Sequence, residues 1–559
     1  MCVTTLAGFE TPIWCNTRHA PRDGSATRQG SAIMLYSDVR SLTRANASTS
    51  RIVVIGSGAV GLYAASMLAE RGCNVIVIEA GQRHLGTFAA DSYASIGRPH
   101  SGIALARSRS LGGTTNLWGG QLVEFQPVDF NGRDWLEGSR WPVSYDEIAP
   151  YYAPTYSRLG IPPQVQNDAD VWRGLSAQRP ELGDELEVFL TRWMRIPSSA
   201  LLFAQQIQSH EKMEVVTGYT AVGFRGAGGR VEAVRVIDKE GAEHWIEGDA
   251  FILAAGTVEN ARLLLHAGQS RDWDCPWRDN QNIGKYFQDH LVNKVAVVTP
   301  ADKRAFFEMF CNIVLGGYKF QPKIRLRNEI LEKQQILNVQ GTFIFESKVS
   351  EHLVYLKQFL KAAVLSRKLS GIGDFFRNGI GAARFLVPLM WTYVKDHRIF
   401  VPGSAKIMLG VQVEQVSVAQ SRITIDGGTV DAHGLPRVLL DWRVGDRELR
   451  STREFVSQAR DALQSRGIGR LDIDEDLLSE NPSFLASMRD NYHQAGGAVM
   501  GGSPGDGVVD KDLRVFGTTN FYVGGASVFR TSSNANPTFT AVAFTTRLVD
   551  HLTGSKSVA

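Results

Sequence analysis

The stretch "RIVVIGSGAVGLYAASMLAERGCNVIVIE" at residues 51–79 reads as strand, glycine turn, helix and strand. Its two apolar runs, 51–55 and 74–79, are nearly continuous rather than alternating, as expected of strands covered on both faces of a parallel sheet. Gly56 permits the tight turn, Gly58 leaves the backbone open to a pyrophosphate, and Gly61 lets helix and strand pack closely. The helix N-terminus adds free N–H groups for the anion. Glu79 ends the second strand 18 residues after Gly61, where a carboxylate accepts hydrogen bonds from an adenosine ribose and repels a phosphate on it. The pattern predicts a dinucleotide site and disfavours NADP. It does not separate NAD from FAD, which share the ADP half.

The chain has 559 residues, 43% hydrophobic and 21% charged, enough for two or three soluble globular domains. A net charge of +3 without any Lys/Arg block excludes the footprint of a nucleic-acid binder. Cys2, Cys15, Cys73, Cys275 and Cys311 are scattered and form no CxxC pair. Neither a disulfide framework nor a metal site is expected, and a reducing, cytoplasmic setting is. Residues 1–50 carry no apolar run and are expected to be a disordered or partly untranslated tail, with Met34 a candidate start of translation. "FLVPLMWTYV" (385–394) is half of the ~20 residues a membrane span needs, so no transmembrane segment is expected. With "HLVYLKQFLKAAVLSRKL" (352–369) it suggests amphipathic helices packed on the core; a lid over a substrate entrance and a membrane-surface patch stay open as other readings.

Near the other end stand "NYHQAGGAVMGG" (491–502) and "SSNANPTFTAVAF" (532–544). The residues alone leave two readings. They are ordinary turns, with Asn536 a helix N-cap before Pro537, or His493 and Asn536 are two halves of one site.

"RSRSLGGTTNLWGGQ" (107–121), "SRWPVSYDEIAPYY" (139–152), "FILAAGTVENARLLL" (251–265), "NIGKYFQDHL" (282–291) and the run 509–552 follow in an order that resembles the glucose-methanol-choline (GMC) oxidoreductases, FAD enzymes that oxidise alcohols. The resemblance covers about residues 51–552. It implies that Gly112, Gly113, Thr114 and Asn116 lie against the flavin ring and phosphates, Val222 meets the adenine, and Ala255 and Gly256 let a strand end approach the nucleotide. It further implies flavin contacts from Gly525, Pro537 and Thr538, and a catalytic pair of His493 and, 43 residues on, Asn536. Where many members carry Asp this chain has Gly525, which removes one hydrogen bond to the flavin's ribityl or phosphate portion. "GGASVF" and "VEQVSVAQSRITID" (413–426) resemble the branch of bacterial fructose, gluconate and glucoside-3 dehydrogenases. Leu117 stands where pyranose oxidase has its flavin-bonded histidine, which implies non-covalent FAD.

The chemistry suits these residues. Hydride leaves a carbinol carbon as its oxygen gains anionic character, so a base must take the hydroxyl proton, and an imidazole with an unperturbed pKa of about 6.5 can do so near neutrality. An Asn536 amide can donate to the developing alkoxide, and the helix after it directs a positive dipole end at the flavin. His290 is read as structural, bracing the flavin domain.

The expected fold is α/β: a discontinuous, doubly wound Rossmann-type FAD domain from 51–135, 210–295 and 487–555, and a substrate domain from 136–209 and 296–486 built on an antiparallel sheet. Residues 213–248 read as a meander inserted in the first domain, "SYDE" at 144–147 as a capping box, and 405–426 with 437–442 as a sheet roofing the flavin. The expected reaction is oxidation of a secondary hydroxyl on a sugar, glycoside or cyclitol, with electrons passing to a quinone, a carrier protein or O2. The alternatives are an oxidase acting on a sterol or aromatic alcohol and, from another class, an FAD-containing hydroxynitrile lyase.

Overall fold

The computed structural model describes residues 51–347 and 386–557 apart from positions 84, 90, 91 and 556; the stretch 352–369 and Met34 lie outside the described residues. A parallel sheet runs in the order Phe521–Val523, Ala250–Leu253, Arg51–Ile55, Asn74–Glu79, Met213–Thr217. Val53, Val54, Val77 and Leu253 are fully buried, as continuous apolar strands in such a sheet must be. The helix Ala59–Glu70 follows the first strand, and a Cβ on Gly61 would lie 1.9 Å from the Gly56 carbonyl oxygen. Only glycine permits that approach. This helix packs on the final helix, Pro537–Thr553, with a 2.9 Å hydrogen bond between the Tyr63 and Thr546 hydroxyls.

The second sheet is antiparallel and nine-stranded among the described residues: seven strands follow the path Gly469–Ile473, Leu291–Pro300, Lys406–Val413, Val339–Glu346, Tyr318–Leu326, Leu186–Trp193, Gln121–Leu122, while Ile313–Leu315 pairs with Tyr318–Leu326 and Arg489–Asp490 with Leu291–Pro300. The helix Asp446–Ser465 packs against it through Leu449, Phe455, Val456, Ala459 and Leu463, a helical spacing of apolar residues. The sheet therefore has one greasy face and one face left for a ligand. The strand Leu291–Pro300 runs across position 295, where the sequence suggests a break, and Gln121–Leu122, inside the expected FAD domain, also belongs to this sheet.

The meander is present as Thr220–Ala227, Arg230–Ile237 and Glu243–Glu247, and Ser144 caps the helix Tyr145–Arg158 in a capping box with Glu147. The expected roof is divided. Lys406–Val413 joins the large sheet, whereas Arg422–Val430 and Pro436–Asp441 form a separate three-stranded sheet with Tyr93–Ser95. The irregular segment 414–421 between them explains the split, because it turns inward to bury Glu414, Gln415 and Ser421. The helix Leu386–Lys395 exposes 64% of Met390, 62% of Trp391 and 70% of Val394, so these side chains do not pack on the core as expected. No described helix is long and apolar enough to cross a membrane.

Candidate active site

One cavity of about 640 Å³ joins the glycine turn of the first strand to the carboxyl-terminal motifs. Its wall includes Gly56, Gly58, Glu79, Gly113, Thr114, Ala255 and Gly256 at the nucleotide end. Gly525, Pro537, Thr538, His493 and Asn536 line the same space. A Cβ built on Gly58, Gly256 or Gly525 would touch no protein atom within 4 Å, so each glycine presents bare backbone to the cavity. Gly58 also heads the helix Ala59–Glu70 without a side-chain cap, leaving the first N–H groups available to an anion. The Glu79 carboxylate is buried and accepts from Ser57 N (3.1 Å), Ser57 Oγ (2.6 Å) and Gly81 N (2.7 Å). Burial pushes its pKa up, and these donors oppose that rise. A long cavity walled by bare backbone, with a helix N-terminus and a held carboxylate at one end, fits an extended dinucleotide.

The other end of the cavity is organised around His493. Its backbone N–H donates to Asp289 Oδ1 (2.8 Å), and its Nδ1 lies 2.9 Å from His290 Nδ1. His290 is fully buried, and its Nε2 faces two carbonyl oxygens, of Ser532 (3.0 Å) and Ser533 (2.8 Å). Carbonyls only accept, so His290 Nε2 carries the proton and its Nδ1 presents a lone pair. The hydrogen between the two Nδ1 atoms therefore belongs to His493. His493 Nε2 is then unprotonated, and it has no hydrogen-bond partner among the described residues. The Asn491 amide nitrogen donates one hydrogen to Gln412 Oε1 at 2.6 Å and lies 3.3 Å from His493 Nδ1, a longer contact than that of His290.

Behind this pair Asp289 Oδ2 meets His100 Nε2 at 3.0 Å, while His100 Nδ1 accepts from Ile103 N at 3.1 Å. His100, Asp289 and Asp490 are close enough to suggest a metal cluster, yet Asp490 is committed to Ser101 N and Oγ and to Gly102 N. Their donors and acceptors serve the scaffold. Burial first, and then the neighbouring His290 and Lys323, hold the His493 pKa well below its ordinary value, and burial lowers that of His290. Tyr492, just before His493, has φ 63°, an unusual left-handed conformation for a bulky residue. Such strain persists where the surroundings fix it, here by the bonds to Asp289 on either side.

Asn536 heads the helix Pro537–Thr553 but makes no side-chain cap bond. Instead its Nδ2 donates to Gln121 Oε1 (3.3 Å), and its Oδ1 lies 3.5 Å from Gln412 Nε2, which donates to the Asn534 carbonyl at 2.6 Å. Gln412 thereby ties Asn491 and Asn536 into one network.

Four of the expected cofactor residues do not line the cavity. Gly61 serves the helix–strand contact. Gly112 turns the loop at φ 90°, and Asn116 fastens it through Leu111 O (2.8 Å), Ser110 Oγ (3.0 Å) and Ser198 Oγ (2.7 Å). Val222 is buried, and its predecessor Ala221 faces the cavity. Residues that sequence reasoning passed over include His290, read as a structural brace, and Gln412, Gln121 and Lys323. A signal for the last existed: "YKFQPKIRL" (318–326) places Lys319, Gln321 and Lys323 on one face of a strand, an odd polar row beside apolar neighbours.

Comparisons agree with this geometry. A profile of the GMC oxidoreductases matches residues 417–545, and one of FAD-dependent oxidoreductases matches 51–323. The chain is 22% identical to 2-methyl-1,2-propanediol dehydrogenase of Mycolicibacterium austroafricanum, covering 79% of this chain and 80% of that protein. It is 32% identical to paromamine 6'-oxidase of Streptomyces fradiae, over 50% of this chain and 65% of the relative. Among solved structures, pyridoxine 4-oxidase from Mesorbium loti superposes with a TM-score of 0.55 at 18% identity, covering 90% of this chain and 99% of its own, which speaks for the fold. With the dinucleotide cavity at one end and the His493–Asn536 motifs at the other, the chain belongs to the GMC oxidoreductase family of FAD-dependent enzymes acting on alcohols.

Proposed function

We propose that this chain is a dehydrogenase that oxidises a secondary hydroxyl of a sugar, glycoside or cyclitol to the carbonyl, with His493 as base and Asn536 as donor to the substrate oxygen. The observation that carries the reading is the forced tautomer, in which His290 puts the only His493 proton on Nδ1 and leaves the Nε2 lone pair for the substrate. FAD, held without a covalent bond, supplies the hydride acceptor. Gly56, Gly58 and Glu79 would hold its ADP half, and Gly113, Thr114, Ala255, Gly256, Gly525, Pro537 and Thr538 would hold the rest. Leu117 lines the cavity with a side chain that cannot bond to flavin, which supports non-covalent binding. His493 takes the hydroxyl proton as negative charge grows on oxygen, and the low pKa keeps it neutral and ready. Asn536 Nδ2, which uses one hydrogen on Gln121, offers the other to that oxygen.

The polar wall of Gln121, Gln321, Gln412 and Asn491 supports a polyhydroxylated substrate, as do relatives named for a diol and for paromamine. A second reading, an oxidase passing electrons to O2, is favoured by the neighbours named as oxidases. The free thiols Cys73, Cys275 and Cys311 support a cytoplasmic location. The test is anaerobic mixing of the yellow protein with sugars, glycosides, cyclitols, sterols and aromatic alcohols while its colour is followed. Bleaching by a sugar or cyclitol without peroxide in air is expected. Steady peroxide formation would favour the oxidase, and cyanohydrin cleavage without bleaching would contradict both.

A further inference from the structure

Lys323 binds nothing in the site described so far. It lies on the strand Tyr318–Leu326, between Leu186–Trp193 and Val339–Glu346, and lines the cavity with only 6% of its surface exposed. Two cations on the same strand are engaged: Arg325 Nε donates to Glu187 Oε1 at 2.6 Å, and Lys319 Nζ sits 4.1 Å from the Trp193 ring centre. Lys323 forms no hydrogen bond or ion pair among the described residues. The cavity's carboxylates are taken, Glu79 by Ser57 and Gly81, Glu259 by Arg107, and Asp431 by Arg262. Around Lys323 the polar lining, Gln321, Thr342, Gln121 and Gln412, is neutral. An amine withdrawn from water with no acceptor is unfavourable unless something else completes it.

We propose that Lys323 recognises a carboxylate on the substrate, so that the alcohol oxidised in this cavity is a sugar acid or a glycoside bearing a carboxyl group. This rests on the cavity being the site of alcohol oxidation. A ligand carboxylate supplies the one charge the site lacks, and a charge-assisted bond in a dry cavity is stronger and more selective than one to a hydroxyl. Lys323 and His493 line the same cavity, so the anion and the reacting hydroxyl can belong to one molecule bound there. Burial alone brings the Lys323 pKa down to about 7, so a bound carboxylate should draw a proton onto it. An ammonium-bearing sugar would meet the opposite: like charge and no acceptor.

The test pairs methyl glucoside with methyl glucuronide and with methyl 6-amino-6-deoxyglucoside in anaerobic bleaching of the flavin-loaded protein. The glucuronide is expected to be favoured about 10- to 100-fold in rate over dissociation constant, with the amino sugar poorest. In Lys323→Met the glucuronide-to-glucoside ratio should fall close to one, with yellow colour and melting temperature reporting that the variant is folded. Independently, titration calorimetry of the wild-type protein with cyclohexanecarboxylate at pH 8 in two buffers should show uptake of nearly one proton, absent in Lys323→Met. Equal use of the three glycosides, preference for the amino sugar or for a sugar phosphate, or proton uptake that persists in the variant and so belongs to His493 would overturn the proposal. Carboxylate binding with proton uptake but no bleaching by any alcohol would leave Lys323 as an anion site and remove the oxidation reading instead.

Discussion

A base that must accept a proton on Nε2 works only if its other nitrogen is already occupied, and here that depends on His290. Replacing His290 by Phe removes the acceptor for His493 Nδ1 and leaves the Ser532 and Ser533 carbonyls without their donor. An unsatisfied buried acceptor costs about 1–3 kcal/mol, so the melting temperature should fall. Flavin reduction should also slow, with its acid limb displaced because the tautomer is no longer fixed; an unchanged pH profile would assign His290 a purely structural role. If His493 is the base, as proposed, its neutral form is the active one. Its depressed pKa means that activity is full above that value and is lost as pH falls through it, so the acid limb of flavin reduction should lie below 6.5. The same depression makes folding stability decline as pH drops from 6.5, where the unfolded chain takes up the proton first. A limb above 6.5 would contradict this assignment. His493 and Asn536 were legible through resemblance, because their motifs are local. The His290 contact was not, because it joins residues 203 positions apart in the sequence.

At the scale of elements, the helix Pro537–Thr553 separates two roles for Asn536. Loss of a true N-cap side chain costs about 0.5–2 kcal/mol. Because this side chain bonds to Gln121 and Gln412 and not to the helix end, Asn536→Ala should slow flavin reduction about 10²-fold, with a stability loss no larger than the about 0.5–1.5 kcal/mol of those contacts. The reverse, a stability loss with normal rate, would return Asn536 to the role of cap. The first turn gives a complementary case. A Cβ at position 58 would project from bare backbone into the cavity without touching protein, so Gly58→Ala should fold yet bind flavin more weakly, as absorbance near 450 nm with circular dichroism would read. The strand–turn–helix was legible because each glycine answers a local steric demand. The four residues 112, 116, 61 and 222 were harder to place, since sequence cannot tell a residue that shapes a loop from one that touches a ligand.

At the scale of the whole molecule, a parallel sheet and a larger antiparallel sheet contribute to one cavity, and the chain passes between them repeatedly. Periodicity made the parallel sheet readable, because strands buried on both faces are continuous apolar runs. The larger sheet was read as a class but not strand by strand. Its strands alternate, and the cavity face carries polar residues such as Gln321 and Lys323 that blur a hydrophobic pattern. Exposure of Met390 and Trp391 shows the converse: an apolar run need not be a core element. The central proposal is that His493 meets the flavin in this cavity, and rapid anaerobic mixing of His493→Ala with a bleaching alcohol tests it most directly. General base catalysis is worth about 10²–10⁴ in rate, so the variant should stay yellow and bleach slower by that factor. A yellow variant that bleaches at the wild-type rate would contradict the account.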